Sequence, residues 1–210
     1  TFVFRNFAKV SPMATVIPSS TVNTGVTFAA NSVFNGGITV TAGHLLFNGT
    51  TINGNGVFTK TNAANNSSAG GNVFNGDVEI NAGGQITLAV SAADDFNGNA
   101  TFRRTGAGTF IVGNTFNTSF SRNVSTVGST GGSVQFGAGA GRTIFDGTAI
   151  QTFSSDVAFP PQVRNMTLAM SGAGELQLLG NVNVNVDLAF TSGVVKPMAA
   201  TSTSNGLLIL

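Results

Sequence analysis

Short runs in which polar and apolar residues alternate recur throughout this chain, each bounded by Gly, Asn or Ser. Gly37-Ile38-Thr39-Val40-Thr41, Asp77-Val78-Glu79-Ile80-Asn81, Gly108-Thr109-Phe110-Ile111-Val112, Asn165-Met166-Thr167-Leu168-Ala169-Met170 and Asn181-Val182-Asn183-Val184-Asn185-Val186-Asp187-Leu188 all follow this pattern. A period of two sends successive side chains to opposite faces of a β-strand. Helices are not expected, because Gly and β-branched residues interrupt every window of about 12 residues and no i, i+3, i+4, i+7 apolar stripe survives. The chain therefore reads as all-β.

The tripeptide Phe-Asn-Gly gives the period. It occurs at Phe34-Asn35-Gly36, Phe47-Asn48-Gly49, Phe74-Asn75-Gly76 and Phe96-Asn97-Gly98, with variants at Phe116-Asn117-Thr118 and Phe145-Asp146-Gly147. A unit of about 20 residues holds two or three short strands and cannot bury its own apolar face; stacked as rungs, such units share a continuous core. The expected fold is a repetitive β-solenoid, similar to a parallel β-helix, with rungs of about 20 residues and irregular ends. In each signature Phe fills the interior. Asn tolerates a left-handed corner and can ladder from rung to rung, and Gly allows a positive φ at the turn.

Three regions follow from this reading. Residues 1–30, with Pro12 and Pro18, form an entry segment or atypical rungs; 31–159 carry the Phe-Asn-Gly array; 160–210 continue as further strands after the break at Pro160-Pro161. Two successive prolines cannot occupy a central ladder, so a loop or edge is expected there. Leu207-Leu208-Ile209-Leu210 reads as the start of a strand, and the chain reads as a window on a longer protein. No apolar run reaches the roughly 18 to 20 residues of a membrane helix.

The residues carry a resemblance. The stretch from Phe47 through Val57-Phe58-Thr59-Lys60 to Phe74-Asn75-Gly76, then Asp94-Asp95-Phe96-Asn97-Gly98 and Gly132-Ser133-Val134-Gln135-Phe136-Gly137, resembles the β-strand repeats of giant Bacteroidetes surface proteins. Asp187-Leu188-Ala189-Phe190-Thr191-Ser192-Gly193-Val194-Val195 is similar to a strand that follows such arrays. The resemblance covers roughly residues 30 to 195. It implies a cell-surface adhesin or filament exported by type IX secretion, serving adhesion or gliding motility, and it transfers no catalytic residue.

Composition narrows the chemistry further. Charged residues are 8 % of the chain, against about 25 % in average domains. The nine Lys and Arg are scattered and the net charge is +1, so no nucleic-acid partner is expected. The absence of Cys removes disulfides, thiolate zinc sites and iron–sulfur clusters. His44 is the sole histidine and reads as an exposed turn residue, so no multi-histidine metal site can form. Asp94-Asp95 and the pair Asp77 with Glu79 read as solvated carboxylates, with the doublet Arg103-Arg104 as their natural partner. Sequons at Asn48, Asn66, Asn99, Asn117, Asn123 and Asn165 follow from the abundance of Asn, Ser and Thr.

No residue is assigned a catalytic, cofactor-binding or metal-binding role, and no cofactor is expected. The leading expectation is a non-enzymatic extracellular spacer, with self-association or a surface polysaccharide as partner. The rival is a carbohydrate-active β-helix, a lyase or hydrolase that would use carboxylates on one face such as Asp77 and Glu79. An ice-binding surface would need ranks of Thr-x-Thr, and only Thr39-Val40-Thr41 among the equivalent strands provides one.

Overall fold

The computed structural model describes residues 2–5, 8–9, 15–17, 25–129, 132–156 and 158–197. Leu207 to Leu210, Pro12 and Pro18 lie outside them. Among the described residues all regular structure is β, and every pairing between strands is parallel. The chain winds into a β-solenoid of about eight turns, roughly 22 residues apart. Parallel strands need a long crossover between them; here the rest of each coil is that crossover.

Three faces, A, B and C, follow one another around each coil. Face A stacks Phe2–Phe4, Gly25–Phe28 and His44–Phe47, then Asn66–Ser67, Ile86–Thr87, Phe110–Val112 and Val134–Phe136. Face B includes Val33–Phe34, Thr51–Ile52, Val73–Phe74, Asp94–Phe96, Thr118–Phe120 and Thr143–Phe145. Face C is the longest rank, with Ile38–Ala42, Gly56–Lys60, Val78–Ala82, Ala100–Arg104, Val124–Val127, Ile150–Ser155, Glu175–Leu179 and Val194–Pro197.

The amide ladder is broken once on face A. Between His44–Phe47 and Asn66–Ser67 the link is part side chain and part main chain: Ser68 Oγ accepts from the Phe47 amide at 3.0 Å, and an isolated bridge joins Asn48 to Gly70, whose amide donates to the Phe47 carbonyl at 3.3 Å. Near the far end, Gln162–Ala169 runs through the corner between A and B. It pairs with Phe136 through Val163 and with Thr143 to Phe145 through Met166 to Leu168, around a register shift between Val163 and Asn165. Asn183–Ser192 repeats the same path one coil later. Pro160-Pro161 sits in the loop just before this strand, where an absent N–H costs no ladder bond.

Phenylalanine fills the bore. Phe28 stacks on Phe4 and Phe47 with centroids at 5.6 and 5.4 Å, and Phe74, Phe96 and Phe120 form a second pile at 4.7 and 5.1 Å. Rings from face C enter edge-on, as Phe102 does against Phe96 at 5.4 Å and 84°. Both geometries suit the ring quadrupole and add roughly 0.5 to 1.5 kcal/mol per pair beyond area burial.

Candidate functional site

The most regular polar feature is the corner between faces B and C. Phe34-Asn35-Gly36, Phe74-Asn75-Gly76 and Phe96-Asn97-Gly98 occupy it in register, with Phe inside and Asn outside. The 40-residue gap after Phe34 contains a rung in which Ile52-Asn53-Gly54 holds the same place. Each Asn amide donates down the column: Asn53 Nδ2 to Asn35 Oδ1 at 2.5 Å, Asn75 to Asn53 at 2.7 Å and Asn97 to Asn75 at 2.8 Å. The steps are 18, 22 and 22 residues, so the rung is slightly longer than the expected 20 once the array is established. Ser121 continues the column, donating to Asn97 Oδ1 at 3.3 Å or Asp146 Oδ1 at 2.9 Å.

A second ladder runs two residues on. Asn55 Oδ1 accepts from the Asp77 amide, Asp77 Oδ1 from Asn99 N and Nδ2, Asn99 Oδ1 from the Asn123 amide, and Asn123 Oδ1 from the Thr152 amide, at 2.8 to 3.3 Å. Between the ladders lies a glycine column whose role differs from the one expected. None of Gly36, Gly54, Gly76 and Gly98 has a positive φ, and Asn35, Asn75 and Asn97 are not left-handed. Glycine is required because the coils touch: a Cβ on Gly98 would lie 2.2 Å from the carbonyl oxygen of Gly76, and one on Gly76 would lie 2.4 Å from that of Gly54.

Two members of the tripeptide set belong elsewhere. Phe47-Asn48-Gly49 closes face A, where Gly49 does take a positive φ of 83° and Asn48 Oδ1 accepts from the Ala69 amide at 2.8 Å. Phe116 is 43 % exposed; the ring that stacks over Phe96 is Phe120, four residues later. The match at Phe116 is therefore chemical coincidence in a corner loop. Phe145 is in the column, paired with Phe120.

The candidate catalytic groups are also redistributed. His44 opens a strand instead of lying in an exposed turn, half-buried with Asn62 Nδ2 3.4 Å from Nε2 and Asn66 Nδ2 3.1 Å from Nδ1. Asn62 Oδ1 is committed to the Ala64 amide at 2.7 Å, so Nε2 accepts and the ring proton belongs on Nδ1. With that tautomer Asn66 presents its oxygen to the ring, and its amide nitrogen takes the buried position in which Oδ1 has no partner. Asp77 is engaged in the ladder, and Glu79 pairs with Arg103 at 3.5 Å on the outer surface of face C. Both side chains of that ion pair are more than a third exposed. Arg103→Ala should therefore lower stability by only about 0.2 to 1 kcal/mol in thermal melts. A larger loss would mean that Arg103 has a further structural partner.

Asp94 and Asp95 do not form a pair. Asp95 faces outward and accepts from Ser119 Oγ at 2.6 Å, whereas Asp94 is fully buried and Oδ1 accepts from both the Asn72 amide and Nδ2, at 3.0 and 2.7 Å. Burial is the main influence on its acidity and pushes the carboxyl from near 3.8 up to about 6. The Asn72 donors and the nearby Ala89 amide pull the other way, and the charge on Asp95 adds to the rise. Lys60 and Arg104 are buried as well, one coil either side of Ala82 in a single face C column. Lys60 Nζ donates to the Asn62 carbonyl and Arg104 Nε to the Gly106 carbonyl at 3.1 Å, so each cation caps the turn that follows its own strand. Burial holds the ammonium and the guanidinium below their usual pKa values.

A signal for these buried charges exists in the sequence. Lys60 stands two residues after Phe58, Arg104 two after Phe102, and Asp94 two before Phe96, so the strand period that points each ring inward points the charge inward too.

The raised acidity constant of Asp94 has a definite sign. The folded state holds the proton more tightly than the unfolded chain, so its contribution to stability is complete below the ordinary carboxyl pKa and is lost as the pH rises through about 6. Denaturant titrations of wild type and Asp94→Asn should lie closest below about pH 3. They should diverge toward pH 8, with the Asn variant more stable by about 3 kcal/mol. A constant difference across that range would refute the assignment.

The carboxylates Asp77, Asp95 and Asp146 are thus bonded along the array, Glu79 and Asp187 to neighbouring arginines, and Asp156 to the Ala158 amide of its own turn. Among the described residues, no group of three or more His, Cys, Asp or Glu is arranged to hold a metal ion. Compared with known proteins, the chain matches no family model, no curated protein and no solved structure.

Proposed function

We propose that this chain is a shaft segment of an extracellular adhesin or surface filament, a non-enzymatic spacer whose outer faces and corner loops supply contact with a second copy or with surface polysaccharide. The observation that carries this reading is the double ladder at the B–C corner. Asn35, Asn53, Asn75 and Asn97 in one column, and Asn55, Asp77, Asn99 and Asn123 in the other, use side chains suited to ligand binding to join coil to coil. A structure with each rung tied to the next by main-chain bonds, side-chain amides and stacked rings resists bending, which is what a spacer requires. The resemblance to Bacteroidetes surface repeats supports the same reading and adds export by type IX secretion and a role in adhesion or gliding.

The test is a pull-off measurement on cells that display the protein. Removal of the array should shorten the reach of attachment or weaken it, and unchanged attachment and motility would count against the proposal. Cleavage of a polysaccharide by the purified chain, lost in Asp77→Asn and Glu79→Gln, would replace it with the carbohydrate-active alternative.

A further inference from the structure

Ser32, Thr50, Asn72, Asp94, Thr118 and Thr143 occupy one position on six successive coils, just inside the corner between faces A and B, and all are buried. In the first half of the column each side chain closes bonds to its neighbours. Thr50 Oγ1 donates to the Ser32 carbonyl at 3.0 Å. Asn72 Oδ1 accepts from the Gly49 and Thr50 amides at 3.0 and 3.1 Å, while its Nδ2 donates to the Phe47 carbonyl at 3.2 Å and to Asp94 Oδ1. From Asp94 onward the bonding stops. Asp94 Oδ2, Thr118 Oγ1 and Thr143 Oγ1 make no hydrogen bond of normal geometry, although the Ala89 amide lies near the Asp94 carboxyl, and they are three of the four buried side-chain polar atoms without a partner among the described residues.

Reach explains the change. Asn carries a polar atom one bond farther from its backbone than Thr, which lets Asn72 span the gap to the coil below. Successive coils are about 4.8 Å apart, whereas a hydroxyl bond needs about 2.7 to 2.8 Å, so a threonine reaches the next coil only by turning to a main-chain carbonyl, as Thr50 does to Ser32, and falls short of a side-chain oxygen directly above or below it. Bare backbone approaches Thr118 closely on one side: Gly113 has φ of 72°, and a Cβ there would come within 2.6 Å of Thr118 Oγ1, so any water bonded to this hydroxyl lies along the column and not toward Gly113. The column is closed at one end by Asn72 and at the other by Met166, which lies over Thr143. A buried polar atom without a bond costs about 1 to 3 kcal/mol, and a short enclosed file of oxygens is the setting in which proteins retain internal water.

We propose that ordered water completes this column, one molecule bridging Asp94 Oδ2 to Thr118 Oγ1 and a second bridging Thr118 Oγ1 to Thr143 Oγ1. The first can donate to the carboxylate and accept from the threonine; the second continues the chain to a hydroxyl that has no other neighbour to bond. The hydration site is independent of the function proposed for the chain, since it concerns how the coils are joined inside.

A high-resolution crystal structure of the 210-residue chain, with Thr118→Asn and Thr118→Val beside it, tests the proposal. Wild type should show both waters at about 2.8 Å from their oxygens. In Thr118→Asn the new amide should reach Asp94 Oδ2, displace the first water and reduce the loss of stability between pH 4 and pH 8. Thr118→Val should lose both waters. A direct bond between Asp94 and Thr118 in wild type, or a dry column, would overturn the idea. So would a site with oxygen distances of about 2.3 to 2.6 Å whose filling depends on added calcium, because that is a cation. If Thr118→Asn fails to fold, the wild-type and Thr118→Val structures still decide.

Discussion

Phe96→Ala should destabilise the solenoid by roughly 3 to 5 kcal/mol, measured by urea unfolding. The ring is fully buried, lies 4.7 Å from Phe74 and 5.1 Å from Phe120 in near-parallel stacks, and takes the edge of Phe102 at 5.4 Å. Truncation removes three ring contacts together. The coils cannot close over the resulting void, because their spacing is held by parallel ladders on faces B and C, through Val73↔Asp95, Phe74↔Phe96, Asp94↔Thr118 and Ile80↔Phe102. Phe116→Ala is the control. That ring is 43 % exposed in a corner loop, so its loss should stay within about 0.5 kcal/mol. Equal losses at the two sites would show that Phe96 is not in the core.

Gly98→Ala should cost about 3 kcal/mol, the upper end of what overpacking usually does. The backbone of Gly98 is available to any residue, so the penalty is steric alone: the new methyl would meet the carbonyl carbon and oxygen of Gly76 at 2.3 and 2.2 Å, and neither is a flexible side chain that can move aside. Gly71→Ala provides the opposite case. Its φ is 76°, but the nearest atoms to a new Cβ are at 3.6 and 3.7 Å, so only the left-handed conformation is strained, by about 1 to 2 kcal/mol. If Gly71→Ala proves the more damaging of the two, close approach of the coils is not what selects glycine at the B–C corner. Because each coil of a solenoid contacts only its neighbours, hydrogen exchange should locate the Gly98→Ala lesion between the coils that carry Gly76 and Gly98.

The solenoid was legible because its strands obey a simple alternation and because a bulky interior residue, a laddering amide and a glycine recur together. The same signature misleads where one of its three components is absent and also at Phe47-Asn48-Gly49, which is complete yet lies on face A. Ile52-Asn53-Gly54 kept the amide and the glycine but not the ring, so a whole coil was hidden inside one interval. Phe116-Asn117 kept ring and amide without an alternating strand after the proper corner. Corner length varies independently of strand pattern, so spacing alone cannot assign a residue to a column. Asp94 and Arg104 read as surface charges on chemical grounds and Lys60 carries no reading of its own, although the phase set by Phe96, Phe102 and Phe58 already points all three inward. His44 was misplaced for a similar reason, since the glycine before it suggested a turn when the strand had begun. The orphaned oxygens of the A–B column required knowing which residue lies above which.

The coils do not keep one length. Equivalent polar positions are separated by 18 residues between Asn35 and Asn53, by 22 between Asn75 and Asn97, and by 29 where Asn123 meets Thr152. Apart from the shifts within Gln162–Ala169, the stacked strands keep their register through these changes, and additional residues lie in the loops that link them, such as 113–117 and 137–142. Insertion and pairing are therefore separable in this molecule. A loop can be lengthened or rewritten on one side while the hydrogen-bonded column beneath it stays the same, so the outline presented to the surroundings can diversify without renegotiating the fold.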